Sequence, residues 1–207
     1  MTLEACVGNL DQAVNAELLG AHQIELCDRL DLDGISPDLD TVIKVCNQVT
    51  IPVKVIVNPN PYNYNYSADD IKKIEGYVRS LNDLPIDGIV FGPLGRDGFP
   101  DLELISRIAS ITSYPITFHK AIDISADILK STQLLLEQNI VRYILSSGGQ
   151  STAIQGVNML KQMKTILQGT DLEIIAAGSI TSENLPMLHE QIDLSYYHGK
   201  KIVGYLS

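Results

Sequence analysis

Leu3-Glu4-Ala5-Cys6-Val7 and Gln23-Ile24-Glu25-Leu26-Cys27 decide the fold. Each is a short run in which successive side chains alternate between two faces, the period-two signature of a strand. Between them Ala13, Ala16, Leu19 and Gly20 keep a helical spacing. Strand, amphipathic segment, strand is a βαβ unit, and the chain repeats it. Strand-like runs fall at residues 3–7, 23–26, 53–57, 88–91, 116–119, 143–146, 173–177 and 194–197, about 27 residues apart. Between them lie segments of helical period. They include Leu39, Val42, Ile43 and Cys46 in the second and Ile71, Ile74, Val78 and Leu81 in the third. Ser36-Pro37 reads as a helix start, and Ser67-Ala68-Asp69-Asp70 as a capping box. Eight right-handed βαβ repeats predict an α/β fold, a closed (β/α)8 TIM-type barrel over residues 1–207 as one domain. An open doubly wound sheet would use fewer strands and carry a GxGxxG turn after the first; here that turn is Cys6-Val7-Gly8-Asn9. Residues 199–207 are too few for a full helix, so the final helix is expected to be truncated or missing.

Composition narrows the function. The 207 residues carry 15 Lys plus Arg against 25 Asp plus Glu, a net charge of −10. That balance argues against a general nucleic-acid footprint. No run approaches the ~18 apolar residues of a membrane helix. Three cysteines, Cys6, Cys27 and Cys46, are too few and too odd for a secreted disulfide scaffold. The first residues show no leader pattern. A cytoplasmic protein with reduced thiols is expected.

Strand parity sets the chemistry. In the first strand Leu3 and Ala5 share one face, Glu4 and Cys6 the other. Ile24 and Leu26 oppose Glu25 and Cys27; Val53, Val55 and Val57 oppose Lys54, Ile56 and Asn58; Ile116 and Phe118 oppose Thr117 and His119. The apolar faces must meet the helices, so the polar faces point into the barrel. Buried carboxylates need partners, and Lys54 is the expected counter-charge for Glu4 and Glu25. Two neighbouring carboxylates also split their pKa values, which suits acid or base catalysis. Cys6 and Cys27 repeat one Glu-x-Cys pattern on adjacent strands about 4.8 Å apart. Linear Cu(I) between two thiolates needs sulfurs roughly 4.3–4.6 Å apart, so the pair is a candidate metal site. The alternative is two small buried hydrophobes. Cys46 falls on a helix face as core packing.

His119 ends the fifth strand, at the barrel face that carries active sites; Asp123 follows it, and His119, Asp123 and Glu25 are the catalytic candidates. The turns holding Ser147, Gly148 and Gly149, and Gly178, offer backbone N–H groups to an anion. The loop Asn58-Pro59-Asn60-Pro61-Tyr62-Asn63-Tyr64-Asn65-Tyr66 is a candidate lid or dimer contact.

The chain resembles the CutC family of copper homeostasis proteins. The shared stretches are Leu3-Glu4-Ala5-Cys6, Gly20-Ala21-His22-Gln23-Ile24-Glu25-Leu26-Cys27, Gly34-Ile35-Ser36-Pro37 and Val90-Phe91-Gly92. They continue through Pro115-Ile116-Thr117-Phe118-His119-Lys120-Ala121-Ile122-Asp123, Leu145-Ser146-Ser147-Gly148 and Ala177-Gly178-Ser179-Ile180-Thr181 with Glu183-Asn184-Leu185. The resemblance implies a (β/α)8 barrel, a cytoplasmic location and copper handling, with Cys6 and Cys27 at the positions of the proposed copper ligands. His198 matches a family histidine on the eighth strand. Where the family usually has Arg-Pro-Arg after the third strand, this chain has Asn58-Pro59-Asn60. Two positive charges are missing there, and Lys54 is expected to replace them in part. Three functions follow. The first is a copper-binding protein that takes Cu(I) at Cys6 and Cys27. The second is a barrel enzyme acting on a small anionic metabolite at the mouth. The third is a scaffold with protein partners. A homo-oligomer, a dimer, is expected to cover the flank at residues 202–206.

Overall fold

The computed structural model describes residues 1–32, 34–61 and 63–206. Strands occupy Thr2–Val7 (β1), Gln23–Leu26 (β2), Val53–Ile56 (β3), Gly88–Val90 (β4), Ile116–Phe118 (β5), Tyr143–Ser146 (β6), Glu173–Ala176 (β7) and Tyr196–Gly199 (β8). They pair in chain order, all parallel, and β8 closes on β1. The helices are Leu10–Leu18 (α1), Leu39–Gln48 (α2), Ala68–Leu81 (α3), Leu102–Ala109 (α4), Ile128–Gln138 (α5), Val157–Leu167 (α6) and Leu185–Ile192 (α7). This is the TIM-type barrel expected from the repeats.

Register carries the parity argument around the ring. Glu4 pairs with Gln23, Cys6 with Glu25, Glu25 with Lys54, and Lys54 with Gly88. The same face continues through Val90, Thr117, Tyr143 and Glu173. It returns through Ile175 and Tyr196 to His198, which pairs with Glu4. Partners in a parallel sheet share a face, so these side chains fill the barrel. The opposite face, with Ala5, Ile24, Val55, Ile89, Ile116, Ile144, Ile174 and Tyr197, joins one continuous apolar core with the helices. Inside the barrel only small apolar groups form, one of them Cys6, Cys27, Ile56 and Val90. Two glycines on the inner face make room for long neighbours. A Cβ on Gly88 would lie 3.2 Å from Lys54 Cγ, and one on Gly92 would overlap the His119 ring.

Three local expectations are corrected. Ser36 does not cap α2, because its hydroxyl accepts the Asn58 N–H at 2.9 Å. Asp38 caps instead, accepting from the Thr41 N–H at 2.8 Å, and the helix starts at Leu39. That helix buries Val42 and Val45, while Ile43 is exposed and Cys46 half-buried. β8 begins two residues later than its apolar run suggests. Asp193 ends α7 in the left-handed region (φ 46°), and the Leu194 N–H is spent on the Tyr197 hydroxyl at 3.0 Å. The shift brings His198 into the strand. The capping box at Ser67 forms as read.

Among the described residues no helix follows β8. The tail pairs through a bridge between Thr181 and Lys201. It buries Ile202 and Leu206 against this chain itself. Two of the flank residues that were expected to need a second subunit, Ile202 and Leu206, are therefore already covered; Tyr205 of that flank stays exposed, as do Leu18 and Leu19. Among the described residues no helix is long and apolar enough to cross a membrane.

Candidate metal centre and barrel mouth

The polar faces of β1, β2, β3 and β8 meet in one buried network. Glu4 is fully buried and accepts three hydrogen bonds: from Gln23 Nε2 at 2.7 Å, Lys54 Nζ at 2.8 Å and His198 Nδ1 at 2.9 Å. His198 Nε2 lies 3.2 Å from Glu25 Oε2, so one imidazole spans both carboxylates. Burial alone would raise the Glu4 pKa. The charges of Lys54 and His198 outweigh it and bring it down to about 2. Burial opposes charge on His198 too, but the Glu25 carboxylate and the bonds to Cys6 and Glu4 raise its pKa well above the usual histidine value. Glu25 moves up, mainly because it is buried. Lys54 bonds Glu4 directly and its charge also favours the Glu25 carboxylate, as expected, while the direct ion-pair partner of Glu25 is His198. Lys54 also lies over the Tyr143 ring, 4.1 Å from its centre. Being buried there, it does not replace the missing arginines at the mouth.

Cys6 and Cys27 sit above this network, both reduced and buried, with sulfurs 3.5 Å apart. The Cys27 thiol lies 3.6 Å from the Val7 carbonyl. Contact with Cys27, then burial, pushes the Cys6 thiol well above the usual range. Sulfur of Cys6, a Glu25 oxygen and a His198 nitrogen all lie within 4.8 Å of one another, a grouping able to hold a metal ion. Parity alone identified Cys6, Cys27, Glu4 and Glu25 as inward. It missed His198 and Gln23 as members of the network. The signal was the register: Glu4 faces Gln23 on one side and His198 on the other.

Of the catalytic candidates, His119 and Glu25 line one cavity, while Asp123 is not among its lining residues. His119 is buried, its Nδ1 accepting the Ala121 N–H at 3.2 Å and its ring packed on Tyr64 with centres 4.8 Å apart. Asp123 is spent elsewhere. Its carboxylate accepts from the Ser146 hydroxyl (2.6 Å), the Ser147 N–H (2.9 Å) and hydroxyl (2.7 Å), and the Gly149 N–H (2.9 Å). The Gly148 N–H goes to the Ser146 hydroxyl at 2.9 Å. The turn expected to cradle an external anion through Ser147, Gly148 and Gly149 therefore already holds one, a side chain of the same chain. Gly178 differs: it lines the mouth, and its φ of +105° and a close approach to Ser147 require glycine.

Asn58 and Asn60 fasten loops. Asn58 donates to the Gly34 carbonyl at 3.1 Å and accepts from the Tyr66 hydroxyl at 3.2 Å; Asn60 donates to Asp70 at 2.8 Å. Tyr66 stacks on Phe91. Tyr64 and Tyr66 are thus packed on the barrel. Tyr62 of that loop lies outside the described residues.

Burial lowers the His119 pKa from 6.5 to about 4. A histidine kept neutral in the fold is protonated first in the unfolded chain. Its contribution to stability is therefore lost as pH falls from 6.5 towards 4, and amounts to about 3 kcal/mol at full extent. His119→Asn, which keeps an acceptor for the Ala121 N–H, should flatten the urea midpoint between pH 6.5 and 4.5. An unchanged slope would assign the acid loss to other groups.

The sequence profile of the CutC family matches residues 1–203. The chain belongs to the CutC family. The copper homeostasis protein cutC homologs of Mus musculus and Homo sapiens are each 34% identical to it over 197 residues. These alignments cover 95% of this chain and 72% and 71% of the two relatives. The crystal structure of CutC from Streptococcus agalactiae superposes with a TM-score of 0.90 at 24% identity, covering 98% of this chain and 99% of that one. Phosphoribosyl anthranilate isomerase from Thermotoga maritima shares the barrel alone, with a TM-score of 0.60 at 12% identity over 96% of this chain and 86% of that one. Within the CutC frame, the thiol pair and the network beneath it are this chain's candidate centre.

Proposed function

We propose that this CutC-family chain handles copper by binding Cu(I) as cargo between Cys6 and Cys27, in a reducing cytoplasmic setting. The observation that carries the reading is two reduced thiols in contact at 3.5 Å on the floor of a cavity. Soft sulfur suits Cu(I), and thiols persist where disulfides are reduced. The copper homeostasis names of the mouse and human relatives agree with it.

The charge account is favourable. Two neutral thiols become two thiolates around one Cu(I), so the pocket gains one negative charge. The raised pKa of His198 keeps a positive imidazolium beside Cys6 to balance it. Glu25, hard and already facing His198, shapes that field and is a poor ligand for a soft ion. The sulfurs stand closer than the roughly 4.3–4.6 Å of a linear thiolate pair. Both border the cavity, so a turn of either side chain towards it opens the gap.

The test is a titration of the reduced protein with Cu(I) against a competing colorimetric chelator. One tightly held equivalent, insensitive to Cys46→Ser, is expected. Transfer of all copper to the chelator would overturn the reading.

A further inference from the structure

Above the thiol floor the same cavity, of about 550 Å³, opens at the barrel mouth. That volume suits a small metabolite and far exceeds the need of one ion. Three lysines, Lys120, Lys200 and Lys201, line it. The only carboxylate among its lining residues is Glu25, on the floor and engaged with His198. This is a local reversal in a chain of net charge −10. Lys200 leans on the Leu30 carbonyl at 2.5 Å, and Lys201 lies over the Tyr205 ring. Neither forms a salt bridge among the described residues, although the Lys200 charge is felt by the Asp31 carboxylate. Beside them, the N–H groups of Gly178, Ser179 and Ile180 donate no hydrogen bond within the described residues. All three residues line the cavity, and Gly178 and Ser179 both have positive φ.

A second, independent observation also points to a ligand. His119 lines the cavity and is only 5% exposed, yet its Nε2 has no hydrogen-bond partner. Because Nδ1 accepts the Ala121 N–H, the proton of the neutral ring is on Nε2. A buried donor left unmatched is costly, and an acceptor atom from a bound molecule would satisfy it.

We propose that the mouth binds a small phosphate monoester, its phosphate held by Lys200, Lys201 and the Gly178–Ile180 N–H groups and its organic body offering an oxygen to His119 Nε2–H. A phosphate fits better than a carboxylate. Cations and N–H groups border the cavity from the ends of both β7 and β8, and a tetrahedral anion has more oxygens to offer them than a carboxylate. His119 and the Gly178 turn sit at the ends of different strands, so a ligand meeting both must have a phosphate end and a body.

Calorimetric titration of the full chain with inorganic phosphate and with ribose 5-phosphate tests this. Both should bind saturably, the sugar phosphate at least tenfold tighter. Lys200→Ala with Lys201→Ala should weaken both by at least tenfold. His119→Asn should weaken the sugar phosphate several-fold and leave inorganic phosphate unchanged. Three results would overturn the proposal: no saturable binding of either probe at millimolar concentration, equal affinities for the two probes, or binding indifferent to the paired lysine substitution. Both lysines lie outside the core, so a folding defect is not expected there; a circular dichroism spectrum matching that of the parent chain checks it.

Discussion

Lys54→Met is expected to destabilise the protein by about 3–5 kcal/mol, the cost of breaking a buried ion pair from one side. Glu4 has no solvent exposure, and Lys54 has almost none. In the intact protein Lys54 and His198 supply two positive charges against Glu4 and Glu25. Removing Lys54 leaves two buried carboxylates to share one imidazolium. Water does not reach Glu4 to replace the lost donor. The double variant Lys54→Met with Glu4→Gln should recover part of the loss, because the unpaired charge disappears with its partner. Urea unfolding at pH 7 measures both. The pH response has a definite sign. Glu4, depressed to about 2, stabilises the parent above its unfolded pKa of about 4.5, and this is lost progressively as pH falls from 4.5 through about 2. Lys54→Met raises the Glu4 pKa, so mild acid should cost the variant less than the parent. A loss below about 1 kcal/mol at pH 7 would mean that the network relaxes and that the pair is not structural.

Cys6→Ser is expected to weaken Cu(I) binding by more than about 100-fold. Loss of a direct ligand should exceed the 10–100-fold typical of an outer-shell partner. Cys27→Ser should behave alike, because a serine oxygen is a poor ligand for a soft ion. Cys46→Ser should not matter, since Cys46 is on α2, outside the cavity. Equal affinity of the Cys6→Ser variant and the parent under a competing chelator would remove the thiol pair from the account.

The barrel was legible because its signals are local and repeated. Glu4-Ala5-Cys6 and Glu25-Leu26-Cys27 alternate cleanly, and alternation fixes which side chains turn inward. What escaped depends on contacts distant in sequence. His198 is 194 residues from the carboxylate it bonds. The strand that carries it starts late because Asp193 and the Tyr197 hydroxyl shape the approach. Asp123 and the Gly148–Gly149 turn each looked like half of an active site. In space each satisfies the other, as an internal carboxylate filling its own N–H cradle. Ser36 had the residue type of a helix cap and the position of a loop tether, and the Asn58 N–H decided between them.

X-ray absorption at the copper edge on reduced protein loaded with one equivalent of Cu(I) is the most direct test of the proposed centre. Two sulfur scatterers in the first shell are predicted, falling to one in Cys27→Ser. A first shell of nitrogen and oxygen alone would contradict it.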